Sequence, residues 1–314
     1  MKGVGLTRVG QIDVRVPGGV SKIQRLSSHA PYYWSWLKSL PYAAARRITR
    51  RRCRAYPLME PFFKDQCGLE MGGPSPVFRG DRLIPVYGRC RQIDNCNFSS
   101  RTIWDVAGPS AERRPAPGLS FARQFVAEAS DLSPIGDGVY DFLLASHVLE
   151  HVANPLRALE EWRRVLRPGG AMLVIVPDRR GTFDHRRAPT AFEHIAEDFR
   201  NHTPETDLTH LEEILALHDL ALDPGAGSAL QFRERCLKNA EVRALHHHVF
   251  VPEVLVRMFS RAQMRVLSLA IERPFHIVAL AERADTIERQ EAERQNLDFL
   301  GEDAHWRKCD PLKR

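Results

Sequence analysis

The clearest pattern of apolar and polar positions lies in residues 140–177. An apolar run from Tyr140 to Ala145 predicts a buried strand, and an amphipathic helical pattern follows it. That pattern ends at Pro168-Gly169-Gly170, and a second apolar run, Ala171 to Val176, predicts another buried strand. Strand, helix and strand in this order form a right-handed βαβ unit. The segment therefore predicts a parallel sheet with both faces covered.

Other apolar runs add strands to this sheet. Upstream, the predicted strands cover residues 67–73, 86–94 and 121–132. Downstream, two apolar runs, residues 264–272 and 275–283, are separated by Arg273-Pro274 and predict a hairpin at a sheet edge. Ligands of parallel sheets bind at the carboxyl ends of the strands. We therefore expect the functional side chains to follow the strands directly.

The segments YDFLLASHVLEHV and NPLRALEEWRRVLRPGG, together with the strand that follows them, resemble part of a known family. They are similar to strand 4, the next helix and strand 5 of class I S-adenosylmethionine-dependent methyltransferases of the type 11 group. The resemblance implies an α/β, Rossmann-like methyltransferase fold. In that fold a mostly parallel seven-stranded sheet has helices on both faces and an antiparallel edge hairpin. It also implies methyl transfer as the activity and S-adenosylmethionine as the cofactor.

The family's cofactor motif begins with an acid and alternating glycines after the first strand. Glycines suit this turn because no Cβ blocks the approach of a ligand to the backbone. Here Glu70, Gly72 and Gly73 match the start of the motif, but Pro74 stands at the second glycine position. Residues 76–88 are also broken by proline and glycine. We expect either a first helix of about one turn or a changed grip on the cofactor.

The resemblance implies further cofactor contacts. Asp94, placed directly after the second predicted strand, would accept hydrogen bonds from the ribose hydroxyls, or would otherwise be a helix cap or turn residue. Glu128 and Ala129 resemble the acid and alanine that meet the adenine, with a surface acid as the alternative. Ser146, at the end of strand 4, would line the cofactor.

Three histidines are candidates for catalysis. His147 follows strand 4 and His185 follows strand 5, while His247 belongs to the run His246-His247-His248. A histidine suits the role of general base if the methyl acceptor is a hydroxyl or a protonated amine. A carboxylate or thiolate acceptor needs no base. The alternative for the histidine run is a structural loop.

A rival interpretation starts from His147-Val148-Leu149-Glu150-His151, which has the H-x-x-E-H pattern of inverted zinc peptidases. On a helix, His147 and His151 would share a face and bind one metal ion. The pattern directly follows a strand, however, and no downstream acid stands out as a third ligand. We therefore expect no metal site and keep the zinc metallopeptidase only as a distant alternative.

Charge and cysteine content add two expectations. The formal net charge of +6 equals the six arginines of residues 46–54, so the remainder of the chain is close to neutral. This segment, Arg46 to Arg54, is interpreted as a solvated helix, with a polyanion or membrane-surface contact or a transit peptide as alternatives. The six cysteines are scattered and form no C-x-x-C pair. Together with the absence of any apolar run of membrane length, this favours a cytoplasmic protein.

The pattern divides the chain into three parts. Residues 1–66 form a basic extension, residues 67–283 the methyltransferase domain, and residues 284–314 a charged tail with a solvated helix. Residues 179–250 have no clear strand and are interpreted as an insertion that caps the substrate. Their Asp, His and Arg content favours a small-molecule or saccharide-like polar acceptor. A methyltransferase-like interaction module without catalysis is the second interpretation of the whole chain.

Overall fold

A seven-stranded sheet forms the centre of the protein, for which a computed structural model describes residues 52–100, 102, 121–285 and 289–312. The strand order is β3-β2-β1-β4-β5-β7-β6, and β7 alone runs antiparallel to its neighbours. This confirms the predicted fold class and the edge hairpin. The strands are β1 (Cys67–Met71), β2 (Gln92–Asn97), β3 (Gln124–Val126), β4 (Tyr140–Ser146), β5 (Leu166–Pro177), β6 (Met264–Glu272) and β7 (His276–Arg283).

Helices connect and cover the strands. The two longest helices in the part of the chain that the structure describes are α2 and α7, and both turn a buried face toward one side of the sheet. No helix in the described ranges is long and apolar enough to cross a membrane. Within the described residues, the α-helices are α1 (Tyr56–Met59), α2 (Pro155–Val165), α3 (Phe192–Arg200), α4 (Leu211–Leu217), α5 (Ala229–Leu237), α6 (Asn239–Val242), α7 (Pro252–Arg261), α8 (Arg289–Asn296) and α9 (His305–Lys308).

Helix α2 shows why the βαβ unit forms where the pattern predicts it. The Asn154 side chain accepts a hydrogen bond from the amide of Arg157, which caps the first turn. Pro155 then occupies the first helical position, where its missing N–H costs nothing. On the buried face, the Trp162 indole donates to the carbonyl oxygen of Ala129, 2.9 Å away. This bond fixes α2 against the loop that follows β3.

The connection from β1 to β2 departs most from a regular α/β pattern. Its only helical part in the described residues is a 3-10 turn, Pro76–Phe78, which agrees with the prediction of a first helix reduced to about one turn. Strand β2 begins at Gln92, whereas the sequence placed its start near Val86. The open face of the sheet is covered instead by a second apolar cluster, which includes Met59, Phe63, Phe78, Ile84 and Phe142.

The segments on either side of the β6–β7 hairpin also have defined structure. Residues 179–250 contain α3 to α6, and α4 and α5 enclose a separate small apolar cluster. In the tail, the Asn296 side chain at the end of α8 accepts from the amide of Val266 and donates to the carbonyl oxygen of Met264. Trp306 is also buried. The expectation of a solvated helical tail is wrong here, because α8 packs on β6. Of the predicted basic segment, only residues 52–54 lie within the described ranges.

Candidate active site at the carboxyl edge of the sheet

The turn after β1 is organised by the buried carboxylate of Glu70. One carboxylate oxygen accepts from the amide of Ser75 at 2.8 Å, and the other accepts from the Tyr87 hydroxyl at 2.6 Å. The Ser75 amide also donates to the Tyr87 oxygen at 2.9 Å. Glu70 therefore stabilises the turn, because its carboxylate is bonded to Ser75 and Tyr87 from the two ends of the loop.

Both predicted glycines are required by the geometry of this turn. Gly72 has φ +76°, a conformation that side chains disfavour, and an added Cβ would lie 2.7 Å from Val148. At Gly73 an added Cβ would lie 2.1 Å from the carboxyl carbon of Glu70. The Gly73-Pro74 peptide bond is cis. The missing Cβ atoms at these positions therefore make room for the side chains of Val148 and Glu70.

Burial of Glu70 leads to a pH dependence of stability. Burial raises the pKa of Glu70 to about 7, although its bonds to Tyr87 and Ser75 lower it. The unfolded state, with an ordinary pKa, therefore binds fewer protons than the folded state between these two values. We expect the contribution of Glu70 to the free energy of unfolding to be fully present below the ordinary pKa of about 4.5 and to be lost as the pH rises through about 7. Burial raises the pKa of Glu205 to about 7 as well, which adds to the same trend.

Urea unfolding at a series of pH values measures this slope. A Glu70→Gln variant keeps a side chain of similar shape but does not titrate. In this variant the decrease in the free energy of unfolding should be smaller by about 1.4 kcal/mol for each unit by which burial raises the pKa of Glu70. Glu302→Gln changes an exposed carboxylate and serves as the control. A Glu70→Gln slope equal to that of the wild type would contradict the assignment.

The predicted position of Asp94 is wrong. Asp94 lies inside β2, opposite Leu69, and not after the strand. Its buried carboxylate accepts from the Tyr140 hydroxyl at 2.7 Å and from the Arg123 amide at 3.0 Å. Asp94 thus ties three segments of the sheet together. The residue at the carboxyl end of β2 is Asn97, three positions or roughly 10 Å further along.

Asn97 brings an amide, and not a carboxylate, to the carboxyl edge. Its side chain donates to the Asn95 side chain at 2.5 Å, and Asn95 in turn donates to the carbonyl oxygen of Glu70 at 3.1 Å. The ends of β1 and β2 are therefore joined through two asparagine side chains. Sequence reasoning missed Asn97 because the strand was placed too early in the chain.

Glu128 and Ala129 follow β3, as predicted, but both already have partners within the protein. The carboxylate of Glu128 accepts from the guanidinium of Arg243 at 2.5 Å. Arg243 comes from the inserted segment, has φ +50° and lies 5.4 Å from the centre of the Phe98 ring. The carbonyl oxygen of Ala129 is bonded to Trp162. The insertion therefore reaches the edge of the sheet near the ends of β2 and β3.

The end of β4 brings polar side chains to the same edge. Ser146 closes the strand, and His147 follows with φ +54°. The Nδ1 atom of His147 lies 3.2 Å from a Glu150 oxygen, and its Nε2 atom lies 3.0 Å from Nδ1 of His276. The imidazole thus bridges the ends of β4 and β7.

The H-x-x-E-H segment does not have the geometry of a zinc peptidase. Residues Leu149–His151 form a 3-10 turn, and His147 precedes it in a left-handed conformation. The two histidines are therefore not on one face of a helix. The Nδ1 atom of His151 lies 3.0 Å from the carbonyl oxygen of Leu245.

The other two predicted catalytic histidines are bonded to residues of the insertion. The Nε2 atom of His185 is bonded to Asp219 at 2.9 Å, within the insertion. His247 is buried, with its Nε2 atom 3.1 Å from the side-chain nitrogen of Asn239. Burial lowers the pKa of His247 to about 4, which keeps its ring neutral. The catalytic roles of His185 and His247 stay predictions.

Sequence reasoning missed a buried network beside this edge. Asp184 is bonded to Nδ1 of His246 at 2.5 Å, and to Arg187 at 3.2 Å. Arg187 is 1% exposed and also donates to the carbonyl oxygens of His246 and His247. In the sequence, Asp184 stands next to His185, and nothing there indicates that its partner is His246. The histidine run was the only signal, and it did not reveal a partner.

Comparison with known proteins identifies the domain. Residues 87–174 match the model of a family described as a methyltransferase domain, Methyltransf_11. Residues 87–174 are thus similar to a methyltransferase domain. This match covers β2 to β4 and the first part of β5, and it confirms the predicted family, together with S-adenosylmethionine as the cofactor of that family.

The methyltransferase domain also aligns with curated proteins. It is 51% identical over 99 residues to an uncharacterized 37.1 kDa protein in transposon TN4556 of Streptomyces fradiae, covering 31% of this chain and 25% of that protein. It is 31% identical over 128 residues to tRNA 5-carboxymethoxyuridine methyltransferase of Escherichia coli K12, covering 40% of this chain and 46% of that protein. The aligned region thus spans less than half the length of either relative.

Among solved structures, the methyltransferase domain matches a SAM-dependent methyltransferase from Methanosarcina mazei. The identity is 16% and the TM-score is 0.41, with 73% of this chain and 98% of that chain covered.

Proposed function

We propose that the protein is an S-adenosylmethionine-dependent methyltransferase that acts on a polar acceptor. The observation that carries this proposal is the family match over residues 87–174 on a sheet of order β3-β2-β1-β4-β5-β7-β6. The glycine turn after β1 lies at the carboxyl edge of that sheet, where ligands of such folds bind.

The residues of the turn fit the cofactor. The space that a Cβ would fill at Gly73 is closed from below by Glu70, so the backbone of residues 72–75 presents its outer side to a ligand. We place the ribose at Asn97, whose amide offers both a donor and an acceptor to vicinal hydroxyls. The adenine would lie near Ala129 and Glu128, and Ser146 would line the reacting end.

When bound, S-adenosylmethionine supplies a methyl group that is already activated on a sulfonium. The protein then contributes mainly by aligning the acceptor and excluding water, for which orientation supplies on the order of 7–11 kcal/mol. His147, held between Glu150 and His276, is the base we propose for an acceptor whose nucleophile must lose a proton.

The insertion, residues 179–250, is proposed as the cap over the acceptor. Two contacts support this role: Arg243 reaches Glu128 after β3, and the amide of His247 donates to the carbonyl oxygen of Glu150 after β4. The Asp, His and Arg side chains of the insertion favour a polar acceptor. Relatives are named for a tRNA uridine derivative and for demethylmenaquinone, which are acceptors of different chemistry.

Calorimetric titration with S-adenosylhomocysteine tests the proposal and the placement of the ribose. We expect an Asn97→Leu variant to bind at least about tenfold more weakly, because a buried polar contact is lost. The Asp94→Asn variant should keep the wild-type affinity, since that residue lies inside the sheet. The opposite pattern would return the ribose contact to Asp94.

A non-catalytic methyltransferase-like module is the second candidate. It is favoured by the amide at Asn97, where an acid was expected, and by the short helical turn after β1. Absence of binding at about millimolar S-adenosylhomocysteine would replace the enzyme proposal with this one, because the cofactor product would then be bound more weakly than about −4 kcal/mol.

A further inference from the structure

Three side chains converge beside the end of β4 with the composition of a metal site. Glu150, His151 and His246 each offer one ligand atom, and these atoms all lie within 4.8 Å of one another. Glu150 is fully buried, and the two histidines are 8% and 9% exposed. The first two residues come from the turn after β4 and the third comes from the insertion. They therefore meet only when the chain is folded.

In each of the two rings Nδ1 is bonded to an oxygen acceptor, so Nε2 is the nitrogen that we assign to the metal ion. A carbonyl oxygen only accepts, so Nδ1 of His151 carries the proton that is donated to Leu245 at 3.0 Å. The Nε2 atom of a neutral His151 is then a lone-pair donor. His246 is oriented in the same way, because its Nδ1 atom is bonded to the Asp184 carboxylate at 2.5 Å. Histidines that bind metal ions commonly donate their second N–H to a carbonyl or a carboxylate.

The carboxylate of Glu150 is satisfied on one side only. One oxygen is bonded to Nδ1 of His147, whereas the other, Oε2, is buried and has no hydrogen-bond partner among the described residues. A buried carboxylate oxygen without a donor is costly. A cation between Glu150, His151 and His246 would remove this cost.

We propose that Glu150, His151 and His246 bind a divalent first-row transition metal ion. Two imidazoles and one carboxylate suit manganese, iron, cobalt, nickel or zinc ions, whereas magnesium and calcium prefer oxygen ligands. Three protein ligands leave at least one coordination position for an oxygen of water or of the acceptor. Asp184 and the Leu245 carbonyl would act as positioning groups for the two rings. The site differs from the H-x-x-E-H pattern, because His147 contacts Glu150 and is not a ligand.

A second group of histidines provides an internal comparison. His194, His210 and His248 also lie within 4.8 Å of one another. In this group Nε2 of His194 is bonded directly to Nε2 of His210 at 3.0 Å, so the two nitrogens satisfy each other. The test must therefore show which group holds the ion.

The experiment titrates Co²⁺ into the purified full chain after removal of metals with a chelator. Bound Co²⁺ is followed by visible absorption and its stoichiometry by calorimetry. We expect one ion per chain at the proposed site. The Glu150→Gln and His246→Gln variants should each weaken this binding by at least about 100-fold, and Asp184→Asn by about 10–100-fold. Two matched controls, His210→Gln and His305→Gln, should leave the binding at this site unchanged.

Circular dichroism and urea unfolding verify that each variant is folded. If His246→Gln does not fold, Glu150→Gln decides, since it removes only the negative charge beside the rings. Absence of tight Co²⁺ binding in the wild type would overturn the proposal, as would binding lost in His210→Gln and kept in His246→Gln. The metal site does not depend on methyl transfer: Co²⁺ bound without any affinity for S-adenosylhomocysteine would support the site and contradict the enzyme.

Discussion

An Arg187→Met variant is expected to lose about 3–5 kcal/mol of unfolding free energy, because it breaks a buried ion pair from one side. Arg187 is 1% exposed and lies 3.2 Å from an Asp184 oxygen. It also donates to the carbonyl oxygens of His246 and His247. The methionine fills much of the volume but donates no hydrogen bond, so a buried carboxylate and two buried carbonyls lose a donor.

The neighbouring arginine provides a matched control for this prediction. Arg186 is half exposed, and its guanidinium contacts Asp219 at 3.1 Å. An exposed pair of this kind contributes about 0–1 kcal/mol, so Arg186→Met should unfold close to the wild-type denaturant midpoint. Urea unfolding of the three proteins, followed by circular dichroism, measures the difference. Equal losses for Arg186→Met and Arg187→Met would show that the buried network does not stabilise the fold.

A Gly73→Ala variant is expected to lose about 1–3 kcal/mol of stability and at least about tenfold in affinity for S-adenosylhomocysteine. The added Cβ would lie 2.1 Å from the carboxyl carbon of Glu70. Glu70 has little room to move, because Ser75 and Tyr87 both hold its carboxylate. The turn must therefore shift, and its backbone would no longer meet the cofactor in the same position.

The control for Gly73→Ala is Gly80→Ala, in the same connection between β1 and β2. At Gly80 an added Cβ has no neighbour within 4 Å. The Gly80→Ala variant should bind S-adenosylhomocysteine with the affinity of the wild type and unfold at the same urea midpoint. A Gly73→Ala protein with wild-type affinity would mean that the cofactor does not approach the turn after β1.

The site could be predicted from the sequence only where it depends on strand ends. Gly72, Gly73, Ser146 and His147 lie at the carboxyl edge, because a buried apolar run followed by a polar or glycine residue locates that edge directly. Asp94 was misplaced because the run from Val86 looks like a strand, although hydrogen-bonded pairing begins only at Gln92. For each residue by which a strand is misplaced, the side chain moves about 3.3 Å along the strand.

The sequence by itself determined the class of fold and the family. The pattern of two buried strands around an amphipathic helix depends on local periodicity, which can be recognised without knowing any distant contact. Only the tertiary structure decided which polar groups meet. Asp184 bonds His246 rather than His185, Arg243 reaches Glu128, and His246 joins Glu150 and His151. These partners are separated by 62 or more positions in the chain, so their contact depends on how the insertion folds back over the sheet.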